Sequence, residues 1–287
     1  MSEYNPLPHP EPSPALEDLY TFGYGPTAVQ IMTSRTAEDS ARFFLPYLHA
    51  GMRVLDCGCG PGSITVGLAQ AVAPGEVVGI DVEPSQIALA QTYAAERGMA
   101  NARFETGNIS ALPFPDDAFD AAFGHTIVMQ FRDPVQALTE VYRVVKPGGV
   151  VGFREVDFSG NLCEPPDAAW QEFWELFARV LQHNGGNARV GKRLGGLLRL
   201  AGFGRIAMSP GYIMTGGTPE QRRGLSEVTA RFCEEVAFIE QARELGWVDE
   251  EARGRLSAAL RADGARADGF FSVAVCEVVG WKEGPTT

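Results

Sequence analysis

Histidine and cysteine are scarce in this chain, and so are basic side chains and long apolar runs. The 287 residues hold four histidines, at 9, 49, 125 and 183, and five cysteines, at 57, 59, 163, 233 and 276. An odd cysteine count, with two of the five in one glycine-rich loop, argues against disulfides and for a reducing cytoplasm. The scattered histidines do not complete a ligand set around Cys57-x-Cys59, so no metal is expected. No apolar run approaches the roughly 20 residues of a membrane span, and the first residues lack the basic-then-apolar order of a secretory leader. With 36 acids against 24 Lys plus Arg, the net charge of −12 disfavours a phosphate backbone as partner. A small, uncharged or cationic substrate suits it better.

What the chain does have is concentrated in Val54-Leu55-Asp56-Cys57-Gly58-Cys59-Gly60-Pro61-Gly62-Ser63. This reads as a strand ending in a carboxylate, a glycine-dense turn, and a helix over 64–71. Glycines at 58, 60 and 62 allow a sharp turn and close approach to a ligand, and the new helix offers unpaired N–H groups beside it. Spacing narrows the ligand. A dinucleotide fingerprint places its third glycine one residue later, where Ser63 stands, and no Lys follows to make a P-loop. Downstream, Val77-Val78-Gly79-Ile80-Asp81 is a second short strand ending in an acid, nineteen residues after Gly62. Asp81 can accept two ribose hydroxyls or, alternatively, cap the helix that starts near Pro84.

The D-x-G-x-G-x-G pattern resembles motif I of the class I S-adenosylmethionine-dependent methyltransferases. Phe104-Glu105-Thr106-Gly107-Asn108-Ile109, Leu112-Pro113-Phe114-Pro115-Asp116-Asp117-Ala118-Phe119-Asp120 and Lys146-Pro147-Gly148-Gly149 extend the resemblance over about 36–158. It implies an α/β fold, a seven-stranded Rossmann-like sheet with helices on both faces, and S-adenosylmethionine as cofactor. The cofactor set it implies is Tyr24, Arg35, Asp56, Gly58, Gly60, Gly62, Ser63, Asp81, Val82, Gln86, Gly107, Asn108, Ile109 and His125. In that set Asn108 meets the adenine amine, where many relatives carry Asp, and Arg35 pairs with the cofactor carboxylate or is simply exposed.

Along the chain, prolines at 6, 8, 10, 12 and 14 forbid regular structure, so an extended, mobile arm is expected, leading into an aromatic lid ending at 35. From 36 to 287 a single methyltransferase domain is expected. A helix over 36–48 precedes strands at 52–57, 76–81, 102–107, 119–124 and 149–157, alternating with helices at 62–71, 84–97 and 133–145. Strands at 206–215 and 270–281 would form an antiparallel edge. Helical segments at about 160–187 and 217–266 exceed what such a core needs. They read as substrate caps, or as stripes that merely pack on the sheet. The arm could reach a second subunit, which makes a homodimer a candidate assembly.

Four residues are catalytic candidates. Glu155, on strand five, reads as substrate anchor or proton acceptor, or as half of a structural ion pair. His125 follows strand four and reads as a base or as a backbone contact to the cofactor. Tyr20 and Tyr24, on the glycine-flanked segment, can lie against a cation and relay a proton, or be packed lid aromatics. The segment 35–41 and the layout after strand five resemble the ubiquinone/menaquinone-biosynthesis branch. The paired tyrosines, Glu155 and the Trp/Phe-rich cap resemble bacterial indole C3-methyltransferases of secondary metabolism, which form pyrroloindolines. The expected partner is a small aromatic substrate. O- or N-methylation of another aromatic metabolite is the alternative, and a non-catalytic S-adenosylmethionine-binding regulator is the alternative from another class.

Overall fold

The computed structural model describes residues 20–213, 216–266 and 268–284. The expected proline-rich arm at 1–14 lies outside these residues. The strands are β1 Arg53–Cys57, β2 Glu76–Asp81, β3 Ala102–Thr106, β4 Phe119–His125, β5 Val145–Val156, β6 Leu162–Glu164, β7 Arg205–Ile213 and β8 Phe270–Trp281. The helices are α1 Pro26–Thr33, α2 Ala37–Ser40, α3 Ser63–Val72, α4 Pro84–Glu96, α5 Pro134–Val144, α6 Ala168–His183, α7 Leu194–Ala201, α8 Pro219–Glu235, α9 Ala237–Glu244 and α10 Glu250–Gly264.

β1 to β5 run parallel in the order β3-β2-β1-β4-β5, and β8 joins antiparallel to β5. The order reverses beside β1, where β4 adds on the opposite edge from β2. That reversal opens a crevice at the carboxyl ends of β1 and β4, the usual ligand position in an open α/β sheet. Both sheet faces are covered, which is why the strands are nearly continuous apolar runs. Val54, Val77, Ala121, Phe123 and Val150 pack on one face against Phe44, Leu68 and Val72. Leu55, Cys57, Val78, Ile80, Val151 and Phe153 pack on the other with Leu138 and Val141.

Three expectations need correction. The helix over 36–48 is only α2, followed by a 3-10 turn at Leu45–Tyr47. Pro46 lacks the N–H a helix interior needs and disfavours helical geometry in the residue before it. The apolar stripe survives the break, because Ala37, Ala41, Phe44 and Leu48 are all buried. The sheet gains an eighth strand, since β6 pairs with the start of β8 through Leu162–Ser272 to Glu164–Phe270. And the aromatic lid contains a helix, α1, whose sequence signal is Pro26 at its first position.

The segment after β5 forms α6, and the later insertion forms α8, α9 and α10. Asp167 caps α6 by accepting from the Ala169 and Trp170 N–H groups, and Thr218 with Gln221 makes a capping box on α8. Their apolar faces meet in a cluster of Phe173, Phe177, Phe232 and Phe238. Into it goes Phe22, with ring centroids 4.2 Å from Phe177 and 5.2 Å from Phe232. Thr27 adds a hydrogen bond from its hydroxyl to Glu235 Oε2 at 2.7 Å. Residues 20–33 are thus seated between the sheet and the helical insertion.

Candidate active site

A cavity of about 650 Å³ opens at the crevice, a size usual for small-molecule sites. Gly58, Gly60, Asp81, Val82, Gly107, Asn108, Ile109, His125, Arg35, Tyr20 and Tyr24 all line it. A narrow recess off it, about 30 Å³, is lined by Met32, Arg35, Asp56, Gly58, Ser63 and His125 among others. Another hollow, about 540 Å³, lies between α4 and β3 around Ala94 and Met99, away from the strand ends.

The glycine loop has the shape its spacing demanded. Gly58, Gly60 and Gly62 take φ values of +67°, +51° and +77°, which residues with a Cβ adopt only at a cost. Space matters as well: a Cβ on Gly58 would come within 2.3 Å of Ile127 Cδ1, and one on Gly62 within 2.9 Å of Ala90 Cβ. Gly62 lines neither cavity nor recess; it shapes the loop from behind. Asp81 accepts from the Gly60 N–H at 2.9 Å and the Glu83 N–H at 3.0 Å. Each carboxylate oxygen keeps a free lone pair on the cavity side. Glu83, not Asp81, is the N-cap of α4, accepting from the Ser85 N–H.

Asp56 is buried, and the Thr65 hydroxyl donates to it at 2.6 Å. Burial pushes its carboxyl up to about 7, with the Thr65 bond pulling the other way. Ser63 donates its hydroxyl to the Met32 carbonyl at 2.8 Å, which ties the loop to α1. Asn108 uses Oδ1 to accept from the Ser110 N–H at 2.8 Å, fixing the side chain in the turn after β3. Arg35 reaches both cavity and recess and pairs with no carboxylate among the described residues. His125 ends β4, its Nδ1 2.5 Å from the Thr126 hydroxyl. Burial, with Arg35 and Arg154 nearby, holds its imidazolium form well below the usual range, so the ring is neutral. Thr126 itself carries φ +57°, a backbone strain located at the site.

Tyr20 and Tyr24 stack with centroids 5.2 Å apart and form one wall of the cavity. Burial raises both phenols above their ordinary value, so each keeps its proton.

Besides Gly62, two expected site residues are placed off the cavity. Gln86 is buried in the first turn of α4 and does not line the cavity. Glu155 is fully buried and also off the cavity; its oxygens accept from the Ile127, Val128 and Met129 N–H groups at 2.7, 2.7 and 3.3 Å. A carboxylate that satisfies three backbone donors shapes the 127–130 turn and does not reach a substrate. Nor does any residue of 160–187 or 217–266 line the cavity among the described residues; these segments back the lid that does. Sequence reasoning in turn missed Met32, Ile127, Gln130, Phe131 and Arg132, all at the wall. Four of the five lie on the turn after β4, whose course no periodicity announces.

The sequence pattern of a methyltransferase domain family matches residues 48–196. The chain belongs to this methyltransferase family. An uncharacterised methyltransferase of Schizosaccharomyces pombe is 39% identical over 170 residues, covering 56% of this chain and 60% of the relative. A demethylmenaquinone methyltransferase of Geobacillus is 39% identical over 105 residues, covering 36% and 45%. The chain thus spans about half the length of such curated relatives. The crystal structure of the YcgJ protein of Bacillus subtilis shares the fold, with a TM-score of 0.57 at 20% identity over 85% of this chain and 98% of that one.

S-adenosylmethionine is the cofactor of this methyltransferase fold, and the residues present fit it. The cradle is kept bare at Gly58, where Ile127 fills the space of a Cβ, and at Gly60 by its positive φ. An acid with spare lone pairs ends β2, and an unpaired guanidinium and a neutral imidazole lie at the ends of the recess. Cys57 and Cys59 are buried thiols whose deprotonation burial opposes; they pack as apolar groups under the loop.

Proposed function

We propose that this methyltransferase acts on a small aromatic acceptor, with C3 of an indole as the best match. The observation that carries the reading is the aromatic and apolar part of the cavity lining: the stacked Tyr20 and Tyr24, Phe131, and Ile127, which packs on Gly58. When bound, S-adenosylmethionine supplies a methyl group on a positive sulfonium. Asp81 would hold the ribose hydroxyls, Asn108 and Ile109 the adenine, and Arg35 the carboxylate, all of them residues of the cavity lining. Tyr20 and Tyr24 cover the reacting end and keep water out, and their faces suit a cation, an interaction worth about 0.5–2 kcal/mol. Positioning of nucleophile, methyl and sulfur in line carries most of the catalysis, up to roughly 7–11 kcal/mol.

An indole C3 is nucleophilic without prior ionisation. Transfer to C3 would exchange the sulfur–methyl bond for a carbon–methyl bond and pass the positive charge to the ring. A pendant amine closing onto C2 then releases one proton. Glu155 is withdrawn from that step by its three backbone partners, and burial with Arg35 opposes a proton on His125, so the proton released by the ammonium goes to solvent. Glu155 acts at one remove, by positioning residues 127–130.

A second reading is O- or N-methylation of another small aromatic metabolite, favoured by the neutral His125 at the cavity wall, whose ring can accept a hydrogen bond from an acceptor hydroxyl or amine. Labelled-methyl turnover on tryptamine-like and tryptophan-containing acceptors, followed by NMR of the product, separates the two. Methyl on a quaternary carbon is expected; label on oxygen or nitrogen of every acceptor overturns the indole C3 assignment.

A further inference from the structure

Among the described residues two that are not glycine have a positive φ, Asp117 at +55° and Thr126 at +57°. Aspartate tolerates that region through its short polar side chain, but a β-branched threonine enters it only at a real cost. The partner strand imposes the angle. The Thr126 N–H donates to the Arg154 carbonyl at 2.9 Å, and the next three N–H groups, of Ile127, Val128 and Met129, go to the Glu155 carboxylate. Four successive donors are thereby turned towards the end of β5, which a chain continuing in the extended course of β4 could not do. The conformation is held by its surroundings, as strain at a site has to be.

Glycine would take this angle freely, as it does at 58, 60 and 62. A threonine in its place points to a use for the side chain. Thr126 lines the cavity, and its hydroxyl lies 2.5 Å from Nδ1 of His125. His125 is 9% exposed and lines both cavity and recess, so it stands at their junction, as do Arg35, Gly58 and Gly60. Its ring is neutral, so its two nitrogens differ, one a donor and the other an acceptor. A fixed partner on Nδ1 sets the plane of the ring and its tautomer, and hence what Nε2 presents.

We infer that Thr126 is a positioning residue of the methyl-transfer site: its hydroxyl holds the His125 ring in one plane and one tautomer at the junction of cavity and recess, and so strengthens cofactor binding. The strained backbone is kept because it carries this hydroxyl to the ring. The inference rests on the reading of this cavity as the cofactor's site.

The test uses the full chain, with S-adenosylhomocysteine as the probe. Calorimetry should find it bound about three- to tenfold more weakly by Thr126→Val and Thr126→Gly, and with wild-type affinity by Thr126→Ser, which keeps the hydroxyl. Thermal unfolding should rank the variants differently, with Thr126→Gly above Thr126→Val, because only glycine releases the left-handed strain. A merely structural threonine would make affinity and stability fall together. In the free protein the two His125 ring nitrogens should give well-separated NMR signals in the wild type and Thr126→Ser, and draw together in Thr126→Val as the tautomers mix. On a His125→Ala background Thr126→Val should weaken binding no further. Wild-type affinity in Thr126→Val, equal losses in Thr126→Ser and Thr126→Val, or a loss undiminished on the His125→Ala background overturns the inference. Failure of the site reading looks different, because affinity then survives Asp81→Ala and His125→Ala alike.

Discussion

Asp56, Asp81 and Glu155 are acids on three of the five parallel strands, at or near their carboxyl ends, yet burial gives each a different task. Asp81 keeps lone pairs on the cavity, Asp56 lies under the loop against Thr65, and Glu155 is enclosed by the turn it orders. Glu155 offers a pH test. A glutamate titrates at 4.5 unperturbed, and burial pushes this one up to about 7 despite three backbone N–H donors and Arg35. Between those values the folded chain binds more protons than the unfolded one. The stability Glu155 contributes is therefore complete below about 4.5 and declines as pH rises towards about 7. Glu155→Gln has no such titration. Urea unfolding at pH 5 and pH 7.5 should show a larger loss for the wild type than for the variant, and parallel losses would contradict the burial effect. The variant should also retain measurable methyl transfer, since the residue does not touch substrate.

Gly62 gives a second prediction at this scale. Alanine there keeps a φ of +77° and sets its Cβ 2.9 Å from Ala90 Cβ and 3.0 Å from Phe104. Left-handed geometry alone costs about 1–2 kcal/mol, so Gly62→Ala should lower the melting temperature by several degrees in a thermal scan. These glycines were legible in the sequence because only their type permits the turn. Gln130 and Arg132 were not, because a glutamine and an arginine on a short turn suit any surface loop.

Among the elements, the lid shows how a stripe can be read correctly and its role missed. Most of the apolar stripe residues of 160–187 and 217–266 are buried as their helical spacing required, with Trp174 and Val228 half-buried. They do not meet the cavity; they make the socket for Phe22. Asn184 and Gln241 extend that socket with a polar link, Asn184 Nδ2 donating to Gln241 Oε1 at 3.0 Å and to the Thr21 hydroxyl at 3.3 Å. Phe22→Ala should therefore loosen Tyr20 and Tyr24 from a distance. A stability loss of about 2–3 kcal/mol is expected, below the range for a fully buried phenylalanine because Phe22 is only partly covered. Steady-state kinetics should show KM rising for both substrates. An unchanged KM would detach the socket from the site.

At the scale of the whole molecule, a ligand that binds only the folded state raises stability by mass action, about 2.7 kcal/mol at a hundred times its Kd. S-adenosylhomocysteine should raise the melting temperature accordingly, and a pyridine dinucleotide should not. Asp81→Ala should reduce that protection, since it removes the acceptors at the end of β2 and frees the Gly60 N–H.

The sequence by itself determined the order of strands and helices from β1 to β5, the bend of the glycine loop and the kind of cofactor it receives. The elements and the loop follow from local rules, namely strand and helix periodicity and left-handed glycines, and the cofactor from the resemblance of the loop and its following motifs to class I methyltransferases. Only the tertiary structure decided which acids face the cavity and which face backbone, and that the insertion holds the lid instead of lining the site. Such properties arise where segments distant in sequence meet, as Thr21 meets Gln130 and Gly185 meets Arg132. Burial and hydrogen-bond pairing exist only once those segments are packed together.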